Sequence, residues 1–209
     1  MGQAYAGEII ALNWFSGIGS VAGEIIVSPS SPGNDDIAGP SPNVMVIEQK
    51  AYDDIGPVDL EFTVVDNDGT TEYRFREGVN NGTGVDWTGY RLELGFGVGA
   101  DFTPSPSGDE LDFDAPDYNS VADFTLFFAT TIENEDVLLA TDGLMPAGAF
   151  SFPPFEFTVD VPNGIERFTI RQTPIPERIP EPATGLLVII GGTCLLRRRR
   201  SRRYSRYSR

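Results

Sequence analysis

Short stretches in which apolar and polar residues alternate recur along the first 172 residues and predict β-strands joined by turns. The alternation is clearest in residues 59–65 and 71–76. In each stretch every second residue is apolar, so Phe62 and Phe75 are each expected on the apolar face of a strand. Between them, Asp66-Asn67-Asp68-Gly69 has the composition of a tight turn. These residues therefore predict a hairpin.

Other stretches of the same kind fill most of the chain up to residue 172. They span residues 7–15, 24–27, 43–50, 87–96, 122–131, 137–140, 155–161 and 167–172. The first two predict an opening hairpin, and residues 28–42 and 101–117 predict long loops rich in Pro, Ser and Asp. Because no amphipathic helical period is visible, the sequence predicts an all-β fold, an antiparallel β-sandwich of about 8–10 strands.

The C-terminal end has a different composition. After an extended linker at 173–179, Pro180-Glu181-Pro182 leads into an uncharged apolar segment, 183–196. As a helix this segment would be about 21 Å long, short of a hydrocarbon core of about 30 Å. Eight of the last thirteen residues are Arg, and arginines at a helix end stay on the cytoplasmic side and help a short helix to span. We expect one C-terminal hydrophobic helix, with the preceding chain on the outer side.

The order of these parts resembles the PEP-CTERM sorting signal of exported bacterial proteins. The resemblance implies recognition by an exosortase, a membrane-embedded cysteine protease and transpeptidase, at Pro180, Glu181 and Pro182. It also implies a transient inner-membrane span at 183–196 and a basic stop that continues to Arg203. The four arginines that begin this membrane stop are Arg197, Arg198, Arg199 and Arg200. A buried core helix followed by a basic tail is the alternative interpretation of the same residues.

The segments 87–95 and 168–174 resemble sequence segments of exported β-sandwich domains that carry this tail. At the other end, Ala4-Tyr5-Ala6 before Gly7 has the small-x-small form of a signal-peptidase site. We therefore expect residues 1–6 to be the end of a signal peptide, with the start of the first strand as the alternative. The predicted organisation is a leader remnant (1–6), a β-sandwich (7–172), a linker (173–179), a sorting and anchor segment (180–203) and a basic tail (204–209).

Charge is divided unevenly along the chain. Residues 1–196 hold all 31 acidic residues against 7 basic ones, a net charge of −24, whereas the eight arginines after them give +8. An acidic body repels nucleic acid and stays well solvated. The chain has no histidine, which excludes Ser-His-Asp and Cys-His catalysis and histidine-based zinc sites. Its one cysteine, Cys194, lies in the apolar segment, so no disulfide framework is expected.

Crowded carboxylates in the second long loop form a candidate Ca²⁺ site, because an ion would relieve the repulsion between them. The candidate ligands are Asp109, Asp112, Asp114 and Asp117. A solvated acidic loop is the alternative, and the turn at 66–68 is a weaker candidate that lacks the spacing of an EF-hand. No other cofactor is expected.

Together these features predict an exported, noncatalytic cell-surface or extracellular-matrix protein that an exosortase processes. The alternative is a secreted carbohydrate-binding module or carbohydrate-active enzyme with the same anchor, and extracellular polysaccharide is a candidate partner. Three aromatic residues, Trp14, Trp87 and Tyr118, are candidates for stacking on sugars, although the strand pattern around Trp87 favours a place in the core.

Overall fold

The structure is a computed structural model, and it describes residues 7–27, 31–34, 39–66, 69–113 and 122–177. These residues form strands, loops and one 3-10 turn, Gly99–Asp101. Among them, no helix has the length and apolar character needed to cross a membrane. The strands are β1 (Gly7–Gly17), β2 (Gly19–Val27), β3 (Val44–Tyr52), β4 (Val58–Asp66), β5 (Thr71–Asn81), β6 (Trp87–Phe96), β7 (Thr103–Pro104), β8 (Phe128–Asn134), β9 (Val137–Gly143), β10 (Phe155–Val161) and β11 (Arg167–Pro176).

Two sheets make up the described body. The larger has the order β1-β4-β11-β6-β9-β8, with the two-residue β7 beside β6, and the smaller has the order β10-β5-β3-β2. Apolar side chains from both sheets form one buried core between them, which includes the stacked rings of Phe75 and Phe157. The all-β, sandwich-like prediction is thus confirmed, although the described residues form eleven strands and not the predicted 8–10.

The prediction of a wholly antiparallel sandwich is wrong at one pair, because β3 and β5 run parallel. The strand between them in sequence, β4, lies in the other sheet. Since consecutive strands reverse direction, moving β4 to the other sheet leaves β3 and β5 as neighbours that point the same way. All other pairs of named strands are antiparallel.

Both predicted hairpins are also wrong, for a related reason. β4 pairs with β1 and β11, whereas β5 pairs with β3 and β10, so the chain passes from one sheet to the other between Asp66 and Thr71. Phe62 and Phe75 meet edge to face across the core, with ring centroids 5.5 Å apart. Likewise, β1 pairs with β4 and β2 with β3.

Several strand boundaries differ from the prediction, most of all in β2, β5, β8 and β11. The stretch predicted as a strand from residue 122 forms a turn at 125–127, and β8 begins at Phe128. Phe124 nevertheless points into the core and is fully buried, which explains why the apolar pattern resembled a strand. β11 continues beyond Gln172 to Pro176 and pairs with β6 along this extension.

Candidate functional site

An irregularity in β3 places a lysine inside the sandwich. Met45 and Ile47 point into the core, and simple alternation would next bury residue 49. In the pairing with β5, Ile47 lies opposite Glu77 but Lys50 lies opposite Val79, so β3 contains one extra residue here. This bulge reverses the alternation. As a result, Lys50 and Tyr52 face inward and are fully buried.

Gly78 of β5 makes room for the bulge. A Cβ atom at this position would lie 2.2 Å from the backbone oxygen of Glu48, too close for any side chain. The residue before Gly78 in β5 is Glu77, whose side chain points inward and is also fully buried. The bulge and the glycine therefore bring Lys50 beside Glu77 in the interior.

A polar network forms around this lysine. Lys50 Nζ donates to Glu77 Oε2 at 2.6 Å and also to Gln172 Oε1. Gln172, on β11 of the opposite sheet, donates from Nε2 to Glu77 Oε1 at 2.9 Å. Tyr90 on β6 donates to Gln172 Oε1 at 2.6 Å, and its hydroxyl is 2.7 Å from that of Tyr52. These five residues form the core network, which joins the two sheets.

Burial controls the protonation of this network. It lowers the pKa of the Lys50 ammonium group, an effect that the charge of Glu77 partly opposes. It raises the pKa of Tyr52 and of Tyr90 well above the ordinary value for tyrosine, so both hydroxyls keep their protons and can donate. Lys50 Nζ also lies 5.7 Å from the centroid of the Tyr90 ring.

The arrangement combines an amine, a carboxamide, a carboxyl group and a phenol in direct contact. A buried ion pair is weak support for stability, because desolvation costs as much as the pair returns. Sequence analysis did not identify these residues as a site. One signal was available, since Lys50 is the only lysine in the chain while every other basic residue is Arg.

The structure describes half of the predicted Ca²⁺ ligands. Asp109 accepts from the Ser105 hydroxyl at 2.6 Å and from the Leu111 amide at 3.1 Å, so its carboxylate ties the loop to itself. Asp112 lies opposite Asp160 in an isolated bridge. Asp114 and Asp117 lie outside the described residues, as do the turn residues 67 and 68. No group of three or more metal-binding side chains is found in the described part of the chain, and the Ca²⁺ site stays a prediction.

The same loop contacts the turn between β8 and β9. Glu135 accepts from the Ser107 hydroxyl at 2.7 Å and from the Gly108 amide, and these bonds lower its pKa. The neighbouring Asp136 has a buried carboxylate oxygen, Oδ1, with no hydrogen-bond partner among the described residues. Burial, followed by the charges of nearby carboxylates, raises the pKa of Asp136 to about 6.

The three candidate aromatic residues have different surroundings. Trp87 is fully buried and packs edge to face on Tyr52 with centroids 5.1 Å apart, which confirms its predicted place in the core. Trp14 is 56% exposed on β1, and Tyr118 lies outside the described residues. A surface groove of about 350 Å³ lies over β3 and β5, beside Phe150 and the 81% exposed Phe152. Glu48 and Arg76 also line this groove.

The predicted sorting motif Pro180-Glu181-Pro182, the apolar segment 183–196 and the arginines Arg197 to Arg200 lie outside the described residues. So does the predicted leader remnant at 1–6. Comparison with known proteins found no matching family model, no matching curated protein and no matching solved structure.

Proposed function

We propose that the chain is an exported, noncatalytic surface or extracellular-matrix protein whose C-terminal segment holds it in the inner membrane until an exosortase processes it. The observation that carries this proposal is the order of three parts after residue 179: Pro180-Glu181-Pro182, an uncharged apolar segment, and a block of arginines. Each part has its own physical role. The prolines keep the motif extended, the apolar segment enters lipid, and the arginines remain on the cytoplasmic side.

Two properties of the preceding chain are in keeping with this role. The compact body ends at Glu177, so the motif follows it after a short connection and is separate in sequence from the strands. Residues 1–196 carry a net charge of −24, from 31 acidic and 7 basic residues. A charge of this size keeps a secreted protein soluble.

The test is intact mass spectrometry of the protein isolated from its host of origin, together with fractionation of the cells. Processing gives a mass that ends close to Pro182, found in the surface or extracellular fraction. Replacing Pro180, Glu181 and Pro182 by alanine leaves the chain unprocessed and in the membrane fraction. As a control, Pro106→Ala alters an exposed loop proline and leaves processing unchanged. A full-length chain ending at Arg209 in the cytosol contradicts the proposal.

Carbohydrate binding is the second candidate function, and the groove beside Phe152 is the specific observation that favours it. Exposed aromatic faces with charged groups nearby suit a sugar ring, which has apolar faces and hydroxyl edges. If this function holds, the protein binds a subset of a glycan array and Phe152→Ala abolishes that binding. Leu144→Ala, which changes an exposed apolar residue outside the groove lining, is the matched control. An array without any binding contradicts this candidate.

A further inference from the structure

We propose that Lys50 and Gln172 join in an intramolecular amide bond, formed by the protein itself with release of ammonia. The bond would tie β3 of the smaller sheet to β11 of the larger sheet through the middle of the core. It is a modification site independent of the proposed sorting of the C-terminal segment.

The two reacting groups are already in contact. Lys50 Nζ bonds to Gln172 Oε1, and the carbon that it would attack, Gln172 Cδ, is one covalent bond beyond that oxygen. Both side chains are fully buried, and they come from strands of opposite sheets held by extensive ladders. Holding reactants in this way replaces a slow encounter by a fixed arrangement.

Glu77 is placed to move the protons. Its Oε2 accepts from the nucleophile, Lys50 Nζ, at 2.6 Å, and its Oε1 accepts from the leaving group, Gln172 Nε2, at 2.9 Å. One carboxyl group thus touches both the nitrogen that must lose protons and the nitrogen that must gain one. This is the position required of a general base that later acts as a general acid.

Tyr90 is placed to stabilise the charge that develops during attack. Its hydroxyl donates to Gln172 Oε1 at 2.6 Å, and this oxygen becomes negative in the tetrahedral intermediate. The Tyr52 hydroxyl bonds to that of Tyr90 at 2.7 Å and holds it in place. Because the site is buried, such a donor has a larger effect than it would in water.

The surroundings favour the reactive form of the amine. Burial lowers the pKa of Lys50, and only a neutral amine has the lone pair needed for attack. The sequence is consistent with a special role for this side chain. The body uses Arg at every other basic position, yet the one lysine of the chain lies at 0% exposure in its centre.

The reaction balances without any added oxidant, metal or co-reactant. Glu77 takes one proton from the Lys50 ammonium group. The lone pair of the resulting neutral amine forms a bond to Gln172 Cδ as the carbonyl electrons move onto Oε1. Glu77 delivers its proton to Nε2 and takes a second proton from Nζ. The electrons on Oε1 then restore the carbonyl, the Cδ–Nε2 bond breaks, and ammonia leaves.

Intact mass spectrometry of the recombinant full-length chain is the first test. The cross-linked protein is lighter than its sequence mass by one molecule of ammonia. An unchanged mass overturns the proposal, and so does the loss of one molecule of water instead, because that result would assign the bond to Lys50 and Glu77.

Digestion with trypsin locates the bond. Cleavage after arginine releases residues 172–178 as a short peptide, and cleavage at Lys50 requires a free amine. In the cross-linked protein, peptide 172–178 remains attached to the peptide that contains Lys50, and the chain is not cut after Lys50. Recovery of a free 172–178 peptide together with complete cleavage at Lys50 contradicts the proposal.

Substitutions test the assigned roles. Lys50→Arg keeps the positive charge but lacks the nucleophilic amine, and Gln172→Met removes the carboxamide, so neither variant loses ammonia. Gln49→Met changes the exposed neighbouring glutamine on β3 and keeps the full mass loss. Glu77→Gln retains both reacting groups and abolishes the bond, and a cross-linked Glu77→Gln protein overturns the role of Glu77.

The contribution of Tyr90 is kinetic. In a time course after cell-free synthesis, Tyr90→Phe slows the appearance of the lighter species on the order of 100-fold, the usual effect of removing an oxyanion donor. An unchanged rate in Tyr90→Phe removes this residue from the mechanism.

Discussion

Arg171 on β11 and Asp59 on β4 lie directly opposite each other and form a bidentate ion pair. Nε and Nη2 of Arg171 each lie 2.7 Å from a different carboxylate oxygen of Asp59. The Asp59 side chain is only 2% exposed. Both partners also bind the 3-10 turn: Asp59 accepts from the Gly99 amide at 2.6 Å, and Arg171 donates to the Gly99 oxygen at 2.7 Å. The pair thus fixes a turn as well as two strands, and its hydrogen bonds raise the pKa of Arg171.

Replacing Arg171 by lysine is expected to lower the free energy of unfolding by about 2 kcal/mol, because a lysine cannot bond both carboxylate oxygens and Gly99 in the same plane. It also loses the contact of the guanidinium carbon with the Phe102 ring, whose centroid is 3.9 Å away. Urea denaturation measures the change.

The control for this substitution is Arg167→Lys on the same strand. Arg167 makes a single contact to Glu61 at 3.3 Å, and its side chain is 63% exposed. Such a pair contributes little in water, so the change should stay below about 0.5 kcal/mol. Equal effects at positions 167 and 171 would show that the second hydrogen bond to Asp59 and the hydrogen bond to Gly99 contribute nothing to stability.

Asp136 makes stability depend on pH. Its pKa is raised from an ordinary value of 3.8 to about 6, so the folded protein holds this proton more tightly than the unfolded chain. The free energy of unfolding therefore falls as pH rises from about 4 to about 6, and the cost of the buried charge applies in full above that range. Asp136→Asn removes the charge and is expected to stabilise the protein at pH 8 but not at pH 4.

Because Asp136 is partly exposed, solvent screening limits the expected gain at pH 8 to about 1 kcal/mol. Urea denaturation of both proteins at the two pH values measures the difference. Asp142→Asn is the matched control, since its side chain is exposed and asparagine tolerates its positive φ of 57°. A gain of the same size at pH 4 would contradict the raised pKa of Asp136, because at that pH the folded protein holds a protonated, uncharged Asp136 and the substituted asparagine is uncharged as well.

Gly78→Ala is expected to disturb the bulge in β3. The new methyl group would lie 2.2 Å from the Glu48 backbone oxygen, so β3 must shift, at a cost of about 2 kcal/mol. Hydrogen exchange of the amides in residues 44–52 should become faster, because the β3–β5 ladder loosens.

Gly84→Ala serves as the comparison for this substitution. No atom lies within 4 Å of its added Cβ, and the only cost comes from a positive φ of 78°, about 1 kcal/mol. Protection of β3 should be unchanged in this variant. Faster exchange of residues 44–52 in both variants would show that the loss of protection does not come from disturbing the bulge.

Alternation predicted most strands but could not assign them to sheets. Phe62 and Phe75 were correctly expected to share the apolar side of their strands, yet they approach each other from opposite sheets. A turn-like sequence such as Asp66-Asn67-Asp68-Gly69 reverses the chain whether it joins neighbours in one sheet or crosses to the other. The period of two contains no information about which of these happens.

Although the only lysine of the chain was a signal, the contacts of the core network could not be predicted from the sequence, for two physical reasons. Lys50 faces inward only because β3 gains a residue against β5, and nothing in the local pattern marks that bulge. Its partners Glu77 and Gln172 are 27 and 122 residues away along the chain. Trp87, by contrast, follows the regular pattern of an inward aromatic position, and its burial was predicted correctly.

The position of β11 has a mechanical consequence. This strand is bonded to β4 along one edge and to β6 along the other, and the chain leaves the compact body directly after it, at Glu177. Traction applied along β11 from beyond Glu177 must shear two ladders simultaneously, whereas a strand at the rim could peel away one bond at a time. A load that reaches the body through its last strand is therefore resisted by both ladders together.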